Sequence, residues 1–259
     1  MFSLFRHSAF RKQEAEECTD PFFPSVGEGL RVYAIGDVHG RYDLLCALLE
    51  TIVEDSERRG MVDRLRLVLL GDLVDRGAQS ARVVDIVIAM RARWPGLSCL
   101  MGNHEEMFLL ALRGDRHVLP LFRKHGRETL LSYGIAADII DEGDDESLHE
   151  AMMVQVPEAH RDFIAALPDS VTIGDYLFVH AGIRPGVPLE AQDSSEMRWI
   201  RAEFLNSRAR HPHMVVHGHS ISEFVDEQPN RIGIDTGAYA SDRLTAVGLE
   251  GIDRWYLST

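Results

Sequence analysis

Short apolar runs that stop at a glycine and a polar cluster recur along this chain. Val32–Ile35 runs into Gly36-Asp37-Val38-His39-Gly40, Leu67–Leu70 into Gly71-Asp72-Leu73-Val74-Asp75-Arg76-Gly77, and Ser98–Met101 into Gly102-Asn103-His104-Glu105. A continuous apolar run of this length, closed by turn residues, predicts a buried strand ending in a loop. Between the runs the period changes. Tyr42–Val53 carries Leu44, Leu45, Leu48, Leu49 and Ile52 at helical spacing. Ser80–Arg93 does the same with Val83, Val84, Val87 and Ile88 and stops before Pro95-Gly96. Glu105–Arg113 predicts a helix directly behind the third cluster. Strand, polar cluster and helix, three times in succession, predict a parallel α/β core.

From Gly114 to Pro168 the apolar spacing is helical but irregular, which predicts a helical insertion that caps or flanks the rest. Its acidic run, Asp141-Glu142-Gly143-Asp144-Asp145-Glu146, has the composition of a calcium loop without EF-hand spacing. We read it as a solvated turn, with Asp145 or Glu146 starting the next helix. The second half is strand-rich. Val171–Ile173, Tyr176–His180, Met214–His217, Arg231–Ile234 and Leu244–Leu249 are predicted strands, with one helix around Ser195–Asn206. Periodicity alone gives an α/β or α+β class.

What the strand ends carry narrows the chemistry. Two further runs, Leu177–Val179 and Met214–Val216, lead into His180-Ala181-Gly182 and His217-Gly218-His219. Five strand ends thus deliver Asp, Asn and His. In open α/β sheets the carboxyl edge is where ligands bind. Oxygen and imidazole donors in this mixture suit a hard or borderline divalent metal.

At this point the chain resembles a known family. The order GDxHG, GDxxDRG, GNHE, a later His after an apolar strand, and GH is the signature of the phosphoprotein phosphatase branch of the metallophosphoesterases. The pattern is most similar to the phage lambda and bacterial Ser/Thr protein phosphatases. It runs from about Arg31 to about Gly251 and includes Ile234-Asp235-Thr236-Gly237-Ala238. The resemblance implies a calcineurin-like fold of two packed mixed β-sheets flanked by helices. It implies one catalytic domain over residues 30–259, after a tail and linker over 1–29.

The resemblance also implies roles. Asp72 would bridge two divalent ions, Mn2+ in assay with Fe or Zn as alternatives. Asp37 and His39 would bind the first ion; Asn103, His180 and His219 the second. His217 is the rival of His219. His104, paired with Asp75, would act as general acid. Arg76, and Arg201 from Trp199-Ile200-Arg201, would bind phosphate, with Arg198 and Arg208 as rivals. The bland alternatives are an Asp75–Arg76 surface ion pair and His104 as a helix N-cap. The implied reaction is phosphate ester hydrolysis by direct in-line attack of a hydroxide held by the two metals, without a phosphoenzyme. The substrate would be a phosphorylated protein or a small phosphoester. One alternative is a dinucleoside polyphosphate hydrolase of the same superfamily, whose sequences lack the acidic partner in the second motif; the presence of Asp75 favours the main expectation, a bacterial-type Ser/Thr protein phosphatase. The other is a catalytically silent metal-bound scaffold.

Composition changes this picture little. The chain has 259 residues, 45% of them hydrophobic, enough for a sizeable core. A net charge of −14 argues against nucleic acid as a non-specific partner, and no basic patch with interleaved aromatics supports one. Cys18, Cys46 and Cys99 form no CxxC, so neither a disulfide framework nor a thiolate metal site is expected. Cys46 and Cys99 lie in apolar patterns and are expected to pack as small hydrophobes; Cys18 is expected to be exposed. No secretory signal and no run of about 18 apolar residues is present, which predicts a cytoplasmic protein without a membrane span. Phe2, Leu4, Phe5 and Phe10 beside Arg6 and Arg11 are read as a tail rather than a membrane-seeking tip.

Overall fold

A computed structural model describes residues 23–259. The readings made for Cys18 and for the tip around Phe2–Phe10 lie outside these residues. In chain order the elements are β1 (Leu30–Ile35), α1 (Tyr42–Arg58), β2 (Arg64–Leu69), α2 (Ser80–Arg93), β3 (Leu97–Cys99) and α3 (Asn103–Leu112). The insertion follows as α4 (Leu119–His125), α5 (Arg127–Ser132), α6 (Ala137–Asp141), α7 (Asp145–Gln155) and α8 (Glu158–Ala165). The second half holds β4 (Ser170–Ile173), β5 (Tyr176–Val179), α9 (Ser194–Trp199), α10 (Ala202–Leu205), β6 (Met214–His217), β7 (Asp226–Gln228) and β8 (Arg231–Gly233). It ends with α11 (Ala238–Ser241), β9 (Thr245–Glu250) and β10 (Asp253–Ser258).

The strands form two five-stranded mixed sheets, ordered β10-β9-β1-β2-β3 and β4-β5-β6-β8-β7. In the first, β1, β2 and β3 are parallel, while β9 runs antiparallel to β1. In the second, β5, β6 and β8 are parallel, with β4 and β7 antiparallel at the edges. Strand alternation divides the side chains between two layers of core. Val32 and Ala34 of β1 meet Tyr176, Phe178, Met214 and Val216 of the other sheet. Tyr33 and Ile35 face the opposite way, onto Leu45 and Leu48 of α1 and Val83 and Val87 of α2. That is why Val32–Ile35 reads as an unbroken apolar run: the strand is covered on both faces. On the far side of the second sheet, Leu177, Val179 and Val215 pack against Met197 and Phe204. The layers are therefore helix, sheet, sheet, helix.

The insertion joins the first helical layer. Phe108 of α3 stacks on Phe122 of α4 at 5.1 Å and meets Tyr133 at 5.6 Å. Its acidic run behaves as a turn and a helix start. Asp144 caps α7 by accepting from the Ser147 amide at 2.8 Å, and Asp141 and Asp145 pair with Arg127 and Arg123.

Several bounds differ from the sequence reading. The expected helix around Ser195–Asn206 is two helices, broken where Ile200 and Arg201 leave helical conformation. β7 and β10 were not expected: β7 is a three-residue polar edge strand, and β10 has exposed ends and a half-buried middle. The stretch read as linker is docked before β1 begins, with Val26 buried between the sheets and its amide donating to Gly251 O at 3.0 Å. No helix among the described residues is long and apolar enough to cross a membrane.

Phe178, fully buried between the two sheets, sets the scale of core packing. Phe178→Ala is expected to lower the unfolding free energy by about 3–5 kcal/mol, read as a shifted urea midpoint at unchanged slope. Val154→Ala, at a position 79% exposed, is expected to move it by no more than about 0.5 kcal/mol.

Candidate metal centre

The loops after the strands are bent into conformations that side chains normally avoid. His39, Asp72, Asp75, Arg76 and His219 all have positive φ, between 47° and 71°. Asp242 is the only other non-glycine residue with positive φ among those described. Such residues cost on the order of 1–3 kcal/mol each and persist where surrounding structure over-determines them. Glu105 does this here. It is completely buried, and its carboxylate accepts from the amides of Asp72 (2.7 Å), Leu73 (2.7 Å), Val74 (3.2 Å) and Gly102 (3.0 Å). A buried carboxylate left without donors would be strongly destabilising; four backbone donors compensate this one and lock two loops together. Glycine is required where the loops touch: a Cβ on Gly102 would collide with Asp72, and one on Gly218 with Asp37.

Around this scaffold the donors converge on Asp72. Its carboxylate is shared by two groups, His39-Asp72-His104 and Asp72-His180-His219, each with its donor atoms within 4.8 Å of one another. His39 Nε2 and His104 Nε2 lie 3.6 and 3.9 Å from Asp72 Oδ2, and His180 Nε2 lies 3.4 Å from Oδ1. The tautomers follow from the outer partners. His39 Nδ1 donates to Val74 O and His180 Nδ1 to Leu70 O, both at 2.9 Å, so each Nε2 turns a lone pair inward. Asn103 Oδ1 then faces the His180 Nε2 lone pair at 2.9 Å, acceptor against acceptor. Asp37 sits beside the two groups, its Oδ2 held by the His219 amide at 3.0 Å. Asp37 Oδ1 and His219 Nε2 are buried without any partner. Opposed acceptors and orphaned buried donor atoms of this kind fit divalent cations and fit little else.

The electrostatics agree. Burial pushes the Asp37 carboxyl well up, and Asp235 and Asp72 push it further. Asp235 rises to about 6, chiefly through burial. Burial would raise Asp72 too, but His180, His104 and His39 outweigh it and hold that carboxylate ionised. Burial lowers His39 and His180 against the pull of Asp72, and takes His219 down to about 3, which favours the neutral imidazole that a bound metal would need. His104 goes the other way. Burial opposes its charge, yet Asp72 and the Asp75 hydrogen bond lift it to about 9.

Asp75 is buried and accepts from His104 Nδ1 at 2.6 Å, so it is not in a surface pair with Arg76. Its other oxygen accepts from Thr129 Oγ1 at 2.5 Å, and its amide donates to Thr129 Oγ1 and Ser80 Oγ. Nor is His104 a helix cap: Gly102 is the N-cap of α3. Arg76 and Arg201 are exposed. The Arg76 guanidinium lies over the Tyr239 ring, and the charge of Arg201 acts on His180, His219 and Asp235. Arg198 is committed to Glu106 and Asp169, and Arg208 lines a separate cleft with Gln228 and Asn230. His217 is turned away, Nδ1 to Gly218 O and Nε2 near Arg231, leaving His219 in the cluster. Sequence reasoning missed Glu105, Asp235, Thr129, Ser80 and Tyr239 as parts of the site. The Glu in GNHE was a readable signal for the first; Thr129 carries none, being 54 residues from Asp75.

The calcineurin-like phosphoesterase family model matches residues 30–246. A symmetrical bis(5'-nucleosyl)-tetraphosphatase of Methylococcus capsulatus is 31% identical over 156 residues, 60% of this chain and 44% of that protein. The match thus spans less than half the relative's length. Among solved structures, a protein provisionally described as a diadenosine tetraphosphatase superposes with a TM-score of 0.62 at 22% identity, over 88% of this chain and 93% of its own. A cold-active protein tyrosine phosphatase gives 0.52 at 18% identity, over 94% and 86%. At these identities the two structures speak to the fold. The family match runs from the first residue of β1 into β9 and crosses every loop that carries a donor; this chain belongs to the calcineurin-like phosphoesterases.

Proposed function

We propose that this chain is a metal-dependent hydrolase of phosphate anhydrides that cleaves dinucleoside polyphosphates symmetrically. Hydrolysis as such rests on the sharing of the buried Asp72 carboxylate between two donor groups. The substrate class draws support from the tetraphosphatase relative, which aligns over 60% of this chain. Asp37 and His39 would hold one divalent ion and Asn103, His180 and His219 the other, with Asp72 between them. Two such ions, when bound, lower the pKa of a water and screen the phosphoryl oxygens. Manganese suits these nitrogen and oxygen donors, and iron and zinc are compatible with them.

The remaining work falls to the chain. Arg76 and Arg201 offer donor forks to the phosphate oxygens. Asp75, anchored by Thr129, fixes the His104 ring and keeps it protonated, with Nε2–H available to the leaving oxygen. As the water oxygen bonds to phosphorus, the bond to the leaving oxygen breaks. That oxygen keeps the electron pair and takes the His104 proton. With diadenosine tetraphosphate and one water, the products are two molecules of ADP.

A second reading, phosphomonoester hydrolysis with phosphoproteins included, is favoured by the His104–Asp75 contact at 2.6 Å. An anhydride leaving group is already a stable anion. A serine alkoxide is not, and it departs only with a proton. An imidazole held charged to about pH 9 is therefore of greatest use to a monoester.

Assay of diadenosine tetraphosphate against a phosphoserine peptide, with manganese, separates the two readings. ADP as the sole nucleotide product supports the first; turnover of the peptide alone replaces it with the second. Asp72→Asn is expected to lower kcat by orders of magnitude on either substrate while part of the binding survives, and near-wild-type turnover would remove its role. His104→Asn is expected to cost about 10²–10⁴-fold on the peptide and much less on the anhydride. Metal analysis should find two ions per chain, a number reduced by His219→Ala and unchanged by His217→Gln. In metal-free protein, His104 should titrate near pH 9 by NMR. Asp75→Asn removes a group that raises this value, so the titration should move toward the ordinary histidine range.

A further inference from the structure

Two exposed aromatic rings border the donor set, one on each half. Tyr239, 36% exposed, stands perpendicular to His39 with ring centroids 5.4 Å apart. Trp199, 41% exposed, stands at 79° to His219 with centroids 6.4 Å apart. His39 and His219 belong to different donor groups, joined only through Asp72. Each ring also has its own exposed arginine. The Arg76 guanidinium lies 5.4 Å from the Tyr239 centroid, and Arg201 follows Trp199 by two residues. Neither arginine enters an ion pair among the described residues.

Both rings are braced by their neighbours. Trp199 Nε1 donates to Glu106 at 2.5 Å, and Arg198 holds that carboxylate from the other oxygen at 2.7 Å. Tyr239 meets the His39 ring at right angles and has the Arg76 guanidinium over its ring. A rigid, exposed π-face beside a cationic fork is a platform for a planar ring attached to a phosphate.

We propose that Tyr239 and Trp199 are the two base-stacking positions of the site, so that a polyphosphate chain crosses the metal centre with a nucleobase against each ring. This rests on the dinucleoside polyphosphate reading and specifies how such a substrate would be told from a bare polyphosphate. The chemistry accounts for a symmetrical substrate: each half of the centre has an exposed ring, with the Arg76 guanidinium beside Tyr239 and the charge of Arg201 felt at His219, the neighbour of Trp199, and the shared carboxylate lies between the halves.

The test compares calorimetric binding of ADP and of inorganic pyrophosphate to the manganese-loaded full-length protein. The wild type should bind ADP about tenfold tighter than pyrophosphate, the advantage of one stacked base. Tyr239→Leu combined with Trp199→Leu should abolish that advantage and leave pyrophosphate affinity unchanged, which also reports an intact fold. Tyr239→Phe should bind ADP as the wild type does, since only the ring face is used. For diadenosine tetraphosphate, each single Leu variant should raise KM about tenfold with kcat little changed. An ADP advantage missing from the wild type, or surviving the double variant, overturns the proposal whatever the turnover assay shows. An advantage that disappears in the double variant, in a protein that leaves diadenosine tetraphosphate intact, keeps the stacking positions and removes the substrate reading instead.

Discussion

A buried carboxylate that must remain charged is the constraint around which this molecule is built. Asp72 lies beneath the surface with Asp37, Glu105 and Asp235 close enough for their charges to be felt. An interior of low dielectric does not tolerate such a concentration of negative charge without compensation. Glu105 is compensated by four backbone amides and becomes a structural tie. Burial and Asp72 lift its carboxyl to about 7, a sign of how crowded the region is. Asp72 itself is compensated by the imidazoles around it, of which His104 is the one held protonated, and by the His104 amide, which donates to Asp72 Oδ1 at 3.0 Å. Two divalent cations would complete the balance, and the lone pairs of the surrounding His and Asn already point where such cations would sit.

The fold supplies this arrangement by aligning strand ends. β1, β2 and β3 deliver three loops to one edge of the first sheet, and β5 and β6 deliver two from the second. Because the sheets are packed face to face, the two sets of loops meet, and the His219 amide reaches Asp37 across the gap. The insertion contributes from outside. Thr129 on α5 holds Asp75, which holds His104, so a segment that supplies nothing to the donor groups orients this imidazole.

Chemistry and selectivity are separable here. A pair of divalent ions about the Asp72 carboxylate would serve anhydrides and esters alike. What would distinguish substrates is the leaving group, to which a protonated His104 would matter, and the surroundings of the donor groups, where Tyr239 and Trp199 border His39 and His219. A basic imidazole at the centre and aromatic platforms at the edge need not favour the same substrate. Their relative weights follow from how stable the departing oxygen is and how much stacking area it carries.

The amino-acid sequence by itself marked the buried strands and the loops that follow them, though not the polar edge strand β7 or the half-buried β10. Apolar runs ending in Gly-Asp and Gly-Asn motifs, with His180 and His219 after later runs, could be read locally because strand burial and loop closure are local patterns. The resemblance added Asp72 as the bridge and His104 with Asp75 as the acid pair, which the structure brings to 2.6 Å. The tertiary structure alone decided the rest. It separated His219 from His217, two residues apart, because β6 ends at His217 and the left-handed backbone at His219 (φ 62°) turns the second imidazole into the cluster, where a continued strand would have left both on one face. It broke the expected helix at Ile200–Arg201, docked Val26 between the sheets, and joined Thr129 to Asp75. These outcomes depend on contacts between distant segments, and no spacing along the chain encodes which side chain will be opposite which once the sheets have packed.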